Sequence, residues 1–112
     1  MSALLALLLA LALPAAAGED WRSVKGSALH QLFSGKEFGD GAHFAYRLRK
    51  DGTFAGTEMG KDVSGTWRVA SDQPCWRWER PAGADECYDV QADGANVRLL
   101  INGSEAWYGT LR

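Results

Sequence analysis

The chain has 112 residues, with 12 Lys and Arg against 14 Asp and Glu, so its formal net charge at pH 7 is −2. This near balance argues against a nucleic-acid partner, which would select a strongly basic face, and gives no electrostatic reason to bind anionic lipid. The length suffices for one domain and no more. A domain this small buries a limited area, so a covalent cross-link contributes usefully to its stability.

The N-terminal segment has the composition of a secretory signal sequence. It carries no charged side chain, its apolar run extends from Ala3 to Leu13, and Pro14 precedes three alanines that end at Ala17. We expect cleavage after Ala17, because these small residues suit a signal peptidase. A membrane span is not expected, because the apolar run is shorter than the roughly 20 residues that a span needs. An uncleaved anchor is the alternative. The sequence therefore predicts a signal peptide at 1–17, a single β-barrel-like domain at 18–112, a periplasmic or secreted location, and no stable membrane insertion after cleavage.

One short helix is predicted near the start of the mature chain. Ser27 is the expected N-cap, and Leu29, Leu32 and Phe33 then share one helical face. Gly35 suits the left-handed residue that ends a helix. A helix of about two turns is unstable alone, so this one must dock on other elements.

From Gly41 onward the apolar period becomes two residues, which predicts β-strands. Asp51-Gly52 and Asn102-Gly103 are hairpin signals, and no segment of helical period separates the strands. The predicted fold is all-β: an antiparallel up-and-down meander of about seven strands, barrel-like, whose mouth or open seam the short helix covers. For Glu105–Leu111 either face can be the inner one. Elsewhere the expected inward residues include Phe44, Tyr46, Leu48, Val63, Trp67, Val69, Val97, Leu99 and Ile101.

Two cysteines lie symmetrically about the turn Pro81-Ala82-Gly83. Because exported cysteines are usually paired, we predict a Cys75–Cys87 disulfide that stabilises the fold by about 3 kcal/mol. A redox-active pair is the alternative, but the Cys-x-x-Cys spacing is missing. This pairing also puts Arg77 opposite Asp85 on the outer, disulfide-bearing face. The expected core face of the same hairpin carries Trp76, Trp78, Tyr88 and Val90.

The five tryptophans have two interpretations. Large side chains fill the core of a small domain, and an aromatic barrel interior can also hold one apolar ligand. The residues expected to line such a ligand are Trp67, Trp76, Trp78 and Tyr88.

Catalytic and metal-ligand patterns are missing from the sequence. His30 and His43 have no second ligand at metal-binding spacing, so both are expected on the surface. No serine lies in a nucleophile elbow, and Asp85, Glu86 and Asp89 are expected to be solvated or paired with Arg77. The sequence thus predicts a non-enzymatic protein with no catalytic residue, no bound metal and no cofactor.

Short motifs follow one another along the mature chain: Leu32–Phe38, Asp51–Phe54, Ser64–Trp67, Cys75-Trp76, Glu86–Tyr88 and Trp107–Gly109. In this order they resemble a family of small exported bacterial proteins of unknown function, which implies the fold and brings no activity. More distantly, the architecture resembles lipocalin-like and avidin-like barrels and the periplasmic barrels that inhibit metalloproteases or lysozyme. That likeness implies a small exported barrel with one disulfide.

Two functional hypotheses follow. The first is a binding domain for a small apolar or envelope-derived ligand. The second is a periplasmic inhibitor or envelope protein-interaction module that acts through its rim loops or through the N-terminal arm Glu19–Lys25. That arm is polar around Trp21, which either projects toward a partner or attaches the arm to the barrel.

Overall fold

The computed structural model describes residues 20–112, so the predicted signal peptide and Glu19 lie outside the described residues. One antiparallel sheet of ten strands and one helix make up this part of the chain. No helix within it has the length and apolarity needed to cross a membrane. The elements in chain order are β1 (Arg22–Val24), α1 (Ser27–Phe33), β2 (Glu37–Gly39), β3 (Phe44–Leu48), β4 (Thr53–Glu58), β5 (Lys61–Ala70), β6 (Gln73–Trp78), β7 (Glu86–Cys87), β8 (Asp89–Asp93), β9 (Asn96–Ile101) and β10 (Ser104–Leu111).

The sheet curves round so that the two ends of its strand order approach each other. The order is β1-β8-β9-β10-β2-β3-β4-β5-β6-β7, yet β7 and β8 are consecutive in the chain and only Tyr88 separates them. The backbone N–H of Tyr88 donates to the carbonyl oxygen of Pro74 at 3.2 Å, which keeps β6 beside this junction. The prediction of an all-β, antiparallel, barrel-like fold is therefore confirmed.

The strand count differs from the prediction of about seven. The structure has ten strands because β1 and β2 were not predicted and because the strand expected through Tyr88 is divided into β7 and β8. Strands β1 and β2 have three residues each, too few for an alternating pattern to be visible.

Antiparallel pairing sets the two ends of the barrel. Strands β9, β2, β4 and β6 all run in one direction, since in the order of the sheet each is separated from the next by one strand of opposite direction. We call the end where β4 and β6 finish the mouth end. The turn after β4 and the loop after β6 lie there, whereas α1 lies at the opposite end, where the β5–β6 turn and Gly103 of the β9–β10 turn are also found.

Helix α1 docks through a fully buried face. Leu29 and Phe33 are 0% exposed, and the Phe33 ring contacts Phe38 and Trp76 edge-on. The predicted helix and its docking are confirmed, but the N-cap is Gly26 rather than Ser27. Gly26 adopts a left-handed backbone (φ 62°), and its N–H donates to Asp72 Oδ1 at 2.9 Å.

The predicted inward faces are confirmed along most strands. The side chains of β3, β5, β6 and β9 that were assigned to the core are buried or packed against it. Ile101 is the exception, because it is 49% exposed where a buried side chain was expected. The pairing of β9 with β10 shifts register between Glu105 and Trp107, and this bulge ends the regular alternation near the β9–β10 turn. On β10 the inner face carries Trp107, Gly109 and Leu111.

The disulfide and its register are as predicted. Cys75 and Cys87 are bonded and directly opposite each other, and Trp76 pairs with Glu86. Arg77 Nε donates to Asp85 Oδ1 at 2.9 Å on the face away from the core. Cys75 itself is buried although it lies outside the main aromatic core.

The described part of the N-terminal arm is attached to the barrel. Strand β1 pairs with β8 from Arg22 to Val24. The Trp21 ring packs edge-on against Tyr108, and the Arg98 guanidinium lies 4.6 Å above it. Of the two alternatives for Trp21, the structure therefore shows attachment, and residues 20–25 do not project.

Candidate binding site at the mouth end

The interior of the barrel is filled by aromatic rings. Phe44 with Trp107, Phe54 with Trp78, and Trp76 with Tyr88 all make edge-to-face contacts. A small void of about 10 Å³ lies among these side chains, which is about the space that one water molecule needs. The residues around it are Phe38, Tyr46, Trp76, Trp78, Tyr88, Leu99 and Trp107. Core filling is therefore the main role of the inward-facing aromatic residues.

A much larger cavity opens at the mouth end, with a volume of about 790 Å³. We call it the mouth cavity. Its walls come from the end of β4, the start of β5, the end of β6, the loop of residues 80–85 and the inner face of β10. The side chains that matter below are Glu58, Met59, Val63, Trp78, Glu86 and Trp107.

Two indole rings separate the mouth cavity from the small void beneath it. Trp78 and Trp107 line both spaces. Both side chains are half-buried, so one face of each ring packs on the core while part of the ring stays accessible. Trp76 also lines the void, and its buried Nε1 has no hydrogen-bond partner within residues 20–112. The mouth cavity thus has an aromatic floor above a nearly dry interior.

Two tyrosine–glutamate hydrogen bonds fix carboxylates at this floor. The Tyr46 hydroxyl donates to Glu58 Oε2 at 3.1 Å, and the Tyr88 hydroxyl donates to Glu86 Oε2 at 2.8 Å. Both tyrosines are buried. Because each phenol is held in the core, it restrains the carboxylate that accepts its hydrogen bond.

Burial and charge act together on these two phenols. Burial is the main reason why the pKa of Tyr46 is raised far above its usual value, and the charge of Glu58 adds to it. Burial likewise raises the pKa of Tyr88 to about 12, although the hydrogen bond that it accepts from Trp107 opposes the shift. The charges of Glu58 and Glu86 act on both tyrosines. Because Glu58 and Glu86 both line the mouth cavity, their charges act in the same space.

The four predicted ligand-lining residues do not form a single wall. Trp76, Trp78 and Tyr88 surround the small void, and only Trp78 also reaches the mouth cavity. Trp67 lies toward the helix end, where its ring stacks on His30 at 5.2 Å and its Nε1 donates to the Arg49 carbonyl oxygen at 2.8 Å.

Three cavity residues were not predicted: Glu58, Met59 and Trp107. A signal for Glu58 was present, because Phe54, Gly56 and Glu58 follow the two-residue period of the inner face. Met59 follows as a turn residue and is 71% exposed. Trp107 was ambiguous because the alternation in β10 alone does not distinguish its two faces.

Both histidines are exposed, as expected. His43 Nδ1 lies 2.7 Å from Asp40 Oδ2, and the backbone N–H groups of Ala42 and His43, followed by the His43 ring, lower the pKa of Asp40 well below its usual value. This is turn chemistry between β2 and β3. Within the part of the chain that the structure describes, three or more His, Cys, Asp or Glu side chains never converge as a metal-binding group.

A second, shallower groove runs along the outer face of β3–β5. Its floor is formed by small residues such as Ala45 and Ala55, and Arg47 beside it is paired with Glu37 at 3.4 Å. The mouth cavity combines aromatic walls with fixed carboxylates, so it is the stronger candidate site. Comparison with protein-family models, with curated proteins and with solved structures found no match to this chain.

Proposed function

We propose that this protein is an exported, non-enzymatic binding domain that holds a small ligand with an apolar body in the mouth cavity. One observation carries the proposal: an open cavity of about 790 Å³ has Trp78 and Trp107 as accessible aromatic walls. Ligand sites are typically concave, about 300–1,000 Å³ in volume, and lined by aromatic side chains with a few polar groups.

The mouth cavity suits a ligand better than the barrel interior does. The interior void of about 10 Å³ has no space for an organic molecule. Ligand binding at the mouth would bury the accessible parts of Trp78 and Trp107, and it requires no rearrangement of the core. We therefore locate the ligand site of the first functional hypothesis at the mouth end, with Trp78 in the wall, Trp76 and Tyr88 supporting it from below, and Trp67 outside it.

An extracytoplasmic location is part of this proposal. The Cys75–Cys87 disulfide is typical of an oxidising compartment such as the periplasm or the medium. In such a compartment the available small apolar ligands include components of the cell envelope.

A neutral fluorescent probe tests the proposal. N-phenylnaphthylamine is expected to bind the purified protein saturably, with a blue-shifted emission. Trp78→Ala is expected to weaken probe binding at least about tenfold, because a wall aromatic often contributes more than 1.4 kcal/mol.

Trp21→Ala is the matched control, since that indole lies on the outer surface against Tyr108. It should bind the probe as the unmodified protein does. Met59→Ala is a second cavity variant for the case that Trp78→Ala fails to fold, because Met59 lines the mouth cavity and its side chain is exposed. Absence of saturable binding, or equal weakening by Trp21→Ala, contradicts the proposal.

A protein-interaction or inhibitor role through the rim loops is a second candidate function. It is favoured by two exposed apolar side chains, Met59 at 71% beside the mouth cavity and Ile101 at 49% at the end of β9. Ile101 does not line the mouth cavity. Ile101→Asp should therefore abolish capture of an envelope protein while probe binding persists, and undiminished capture would count against this role.

A further inference from the structure

We infer that the ligand of the mouth cavity carries an organic ammonium group on its hydrocarbon body. This inference rests on the proposed function and narrows its ligand to one chemical class. It follows from the way in which carboxylates, indole rings and rim cations are distributed around the cavity.

Two carboxylates are available to a ligand cation. Glu58 and Glu86 each accept one tyrosine hydrogen bond through Oε2. Among residues 20–112, neither glutamate forms an ion pair with an arginine, lysine or histidine. Each carboxylate therefore lacks a cationic partner within ion-pair distance and can accept a charge-assisted hydrogen bond from a ligand.

The other charged side chains of the cavity do not neutralise Glu58 and Glu86. Asp85 is already engaged by Arg77 and by Arg68 on the outer face. Lys61 and Arg80 also line the cavity, but both side chains are exposed at its rim and solvated. Lys61 lies directly opposite Glu58 in the β4–β5 pairing, but neither Lys61 nor Arg80 comes within ion-pair distance of Glu58 or Glu86. The Glu86 side chain is exposed too, and the Tyr88 hydroxyl holds its carboxylate.

Both carboxylates also contribute to the raised pKa values of the two buried tyrosines. Tyr46 and Tyr88 both respond to Glu58 and to Glu86, even though each donates to only one of them. Glu58 and Glu86 also line the same cavity. A cation placed there is attracted by both, and an anion is repelled by both.

The aromatic walls favour the same charge. The face of an indole ring carries negative potential, and tryptophan is the best cation–π partner among the side chains. The protein already contains one such pair, because Arg98 lies 4.6 Å above the Trp21 ring. Trp78 and Trp107 give the mouth cavity two more indoles, together with the polarisable thioether of Met59.

A hydrocarbon body completes the ligand. An inorganic cation would leave the walls formed by Val63, Trp78 and Trp107 unused, and a neutral hydrocarbon would leave the two carboxylates without a cationic partner. An alkylammonium uses both parts of the cavity, because its charge meets the carboxylates while its chain covers the aromatic surface.

Isothermal titration calorimetry with three matched probes tests the inference. Octylammonium, octanol and octanoate share one chain and differ only in charge. We expect octylammonium to bind about tenfold more tightly than octanol, and octanoate to bind the most weakly. The preference for octylammonium should decrease as salt is added, because screening weakens the attraction.

Two glutamine variants assign the preference to the cavity. In Glu58→Gln and in Glu86→Gln the tyrosine can still donate to the amide oxygen, so the fold is retained while one charge is lost. The ratio of the octanol to the octylammonium Kd should fall severalfold in each variant and approach one in the double variant. Asp62→Asn removes a charge from an exposed side chain beside the cavity that does not line it, and it should leave the ratio unchanged.

The outcomes separate the inference from the proposed function. Equal binding of all three probes, or an unchanged ratio in the double glutamine variant, overturns the ammonium assignment while ligand binding stands. A failure of all three probes to bind the folded protein overturns the proposed function itself.

Discussion

The indole nitrogen of Trp107 donates a hydrogen bond to the Tyr88 hydroxyl at 3.2 Å, which joins β10 to the junction between β7 and β8. The same hydroxyl donates to Glu86 Oε2 at 2.8 Å. One buried phenol thus links a wall of the mouth cavity to a carboxylate at its floor. The geometry of the cavity therefore depends on a side chain that lies beneath it.

Removing this hydroxyl should destabilise the fold. Tyr88→Phe deletes one donor and one acceptor and leaves the Trp107 N–H without this partner. We expect a loss of about 1–3 kcal/mol in the free energy of unfolding, since one of the two bonds has a charged acceptor. Denaturant unfolding measures it. Tyr108→Phe is the control, because that side chain is 41% exposed, and a loss of equal size there would contradict the assignment.

Alkaline pH should destabilise the protein through its buried tyrosines. The folded state raises the pKa of Tyr88 to about 12, chiefly by burial, and raises that of Tyr46 as well. A raised pKa means that folding favours the neutral phenol. The stabilisation is therefore complete below the unfolded pKa of about 10 and is lost as the pH rises through the folded value.

Unfolding free energies measured across this alkaline range check the sign. Tyr88→Phe should show a shallower decrease than the unmodified protein, and Tyr108→Phe should follow the unmodified protein. A steeper decrease in Tyr88→Phe would show that burial does not favour the neutral phenol.

Close approach of β3 and β4 should make Gly56 intolerant of substitution. A Cβ at Gly56 would lie 1.8 Å from the Ala45 carbonyl oxygen, so the two strands would have to separate beside Tyr46. We expect Gly56→Ala to cost at least about 3 kcal/mol. In Gly83→Ala the new Cβ has its nearest neighbour at 4.0 Å, and the cost should stay within about 0.5 kcal/mol. Similar thermal midpoints for the two variants would refute this reasoning.

The disulfide should contribute a moderate stabilisation. Cys75 and Cys87 are 12 residues apart, and a bridge that closes a short loop contributes about 3 kcal/mol by restricting the unfolded chain. Cys75→Ser and chemical reduction should lower the free energy of unfolding by similar amounts. Identical melting of the oxidised and reduced protein would mean that the bridge does not stabilise the fold.

Sequence alone predicted the parts of the fold that repeat a strong local pattern. The pairing expected of two exported cysteines predicted the Cys75–Cys87 disulfide, and that disulfide set the hairpin register and the Arg77–Asp85 pair, while the two-residue period assigned the indoles to the core face. The alternating pattern wrongly predicted a buried Ile101, because the bulge in the facing strand β10 changes the pairing there. That bulge is a property of two strands together and leaves no mark in the sequence of either one.

The candidate site was harder to predict than the fold. The sequence left core filling and an interior pocket as two interpretations of the tryptophans, and dense aromatic packing leaves space for about one water in the interior. Glu58 and Glu86 are far apart in sequence, and they act together only because the curved sheet brings the ends of β4 and β7 to the same mouth. Their role depends on tyrosine partners that no local motif predicts.

Assignment of the indole N–H resonances by NMR, followed by titration with octylammonium, examines the mouth cavity directly. We predict that the Trp78 and Trp107 resonances shift together and saturably, whereas those of Trp21 on the outer surface and Trp67 near the helix end stay in place. Shifts confined to Trp67 or Trp21, or unchanged Trp78 and Trp107 resonances at saturating probe, would contradict a ligand site at the mouth of the barrel.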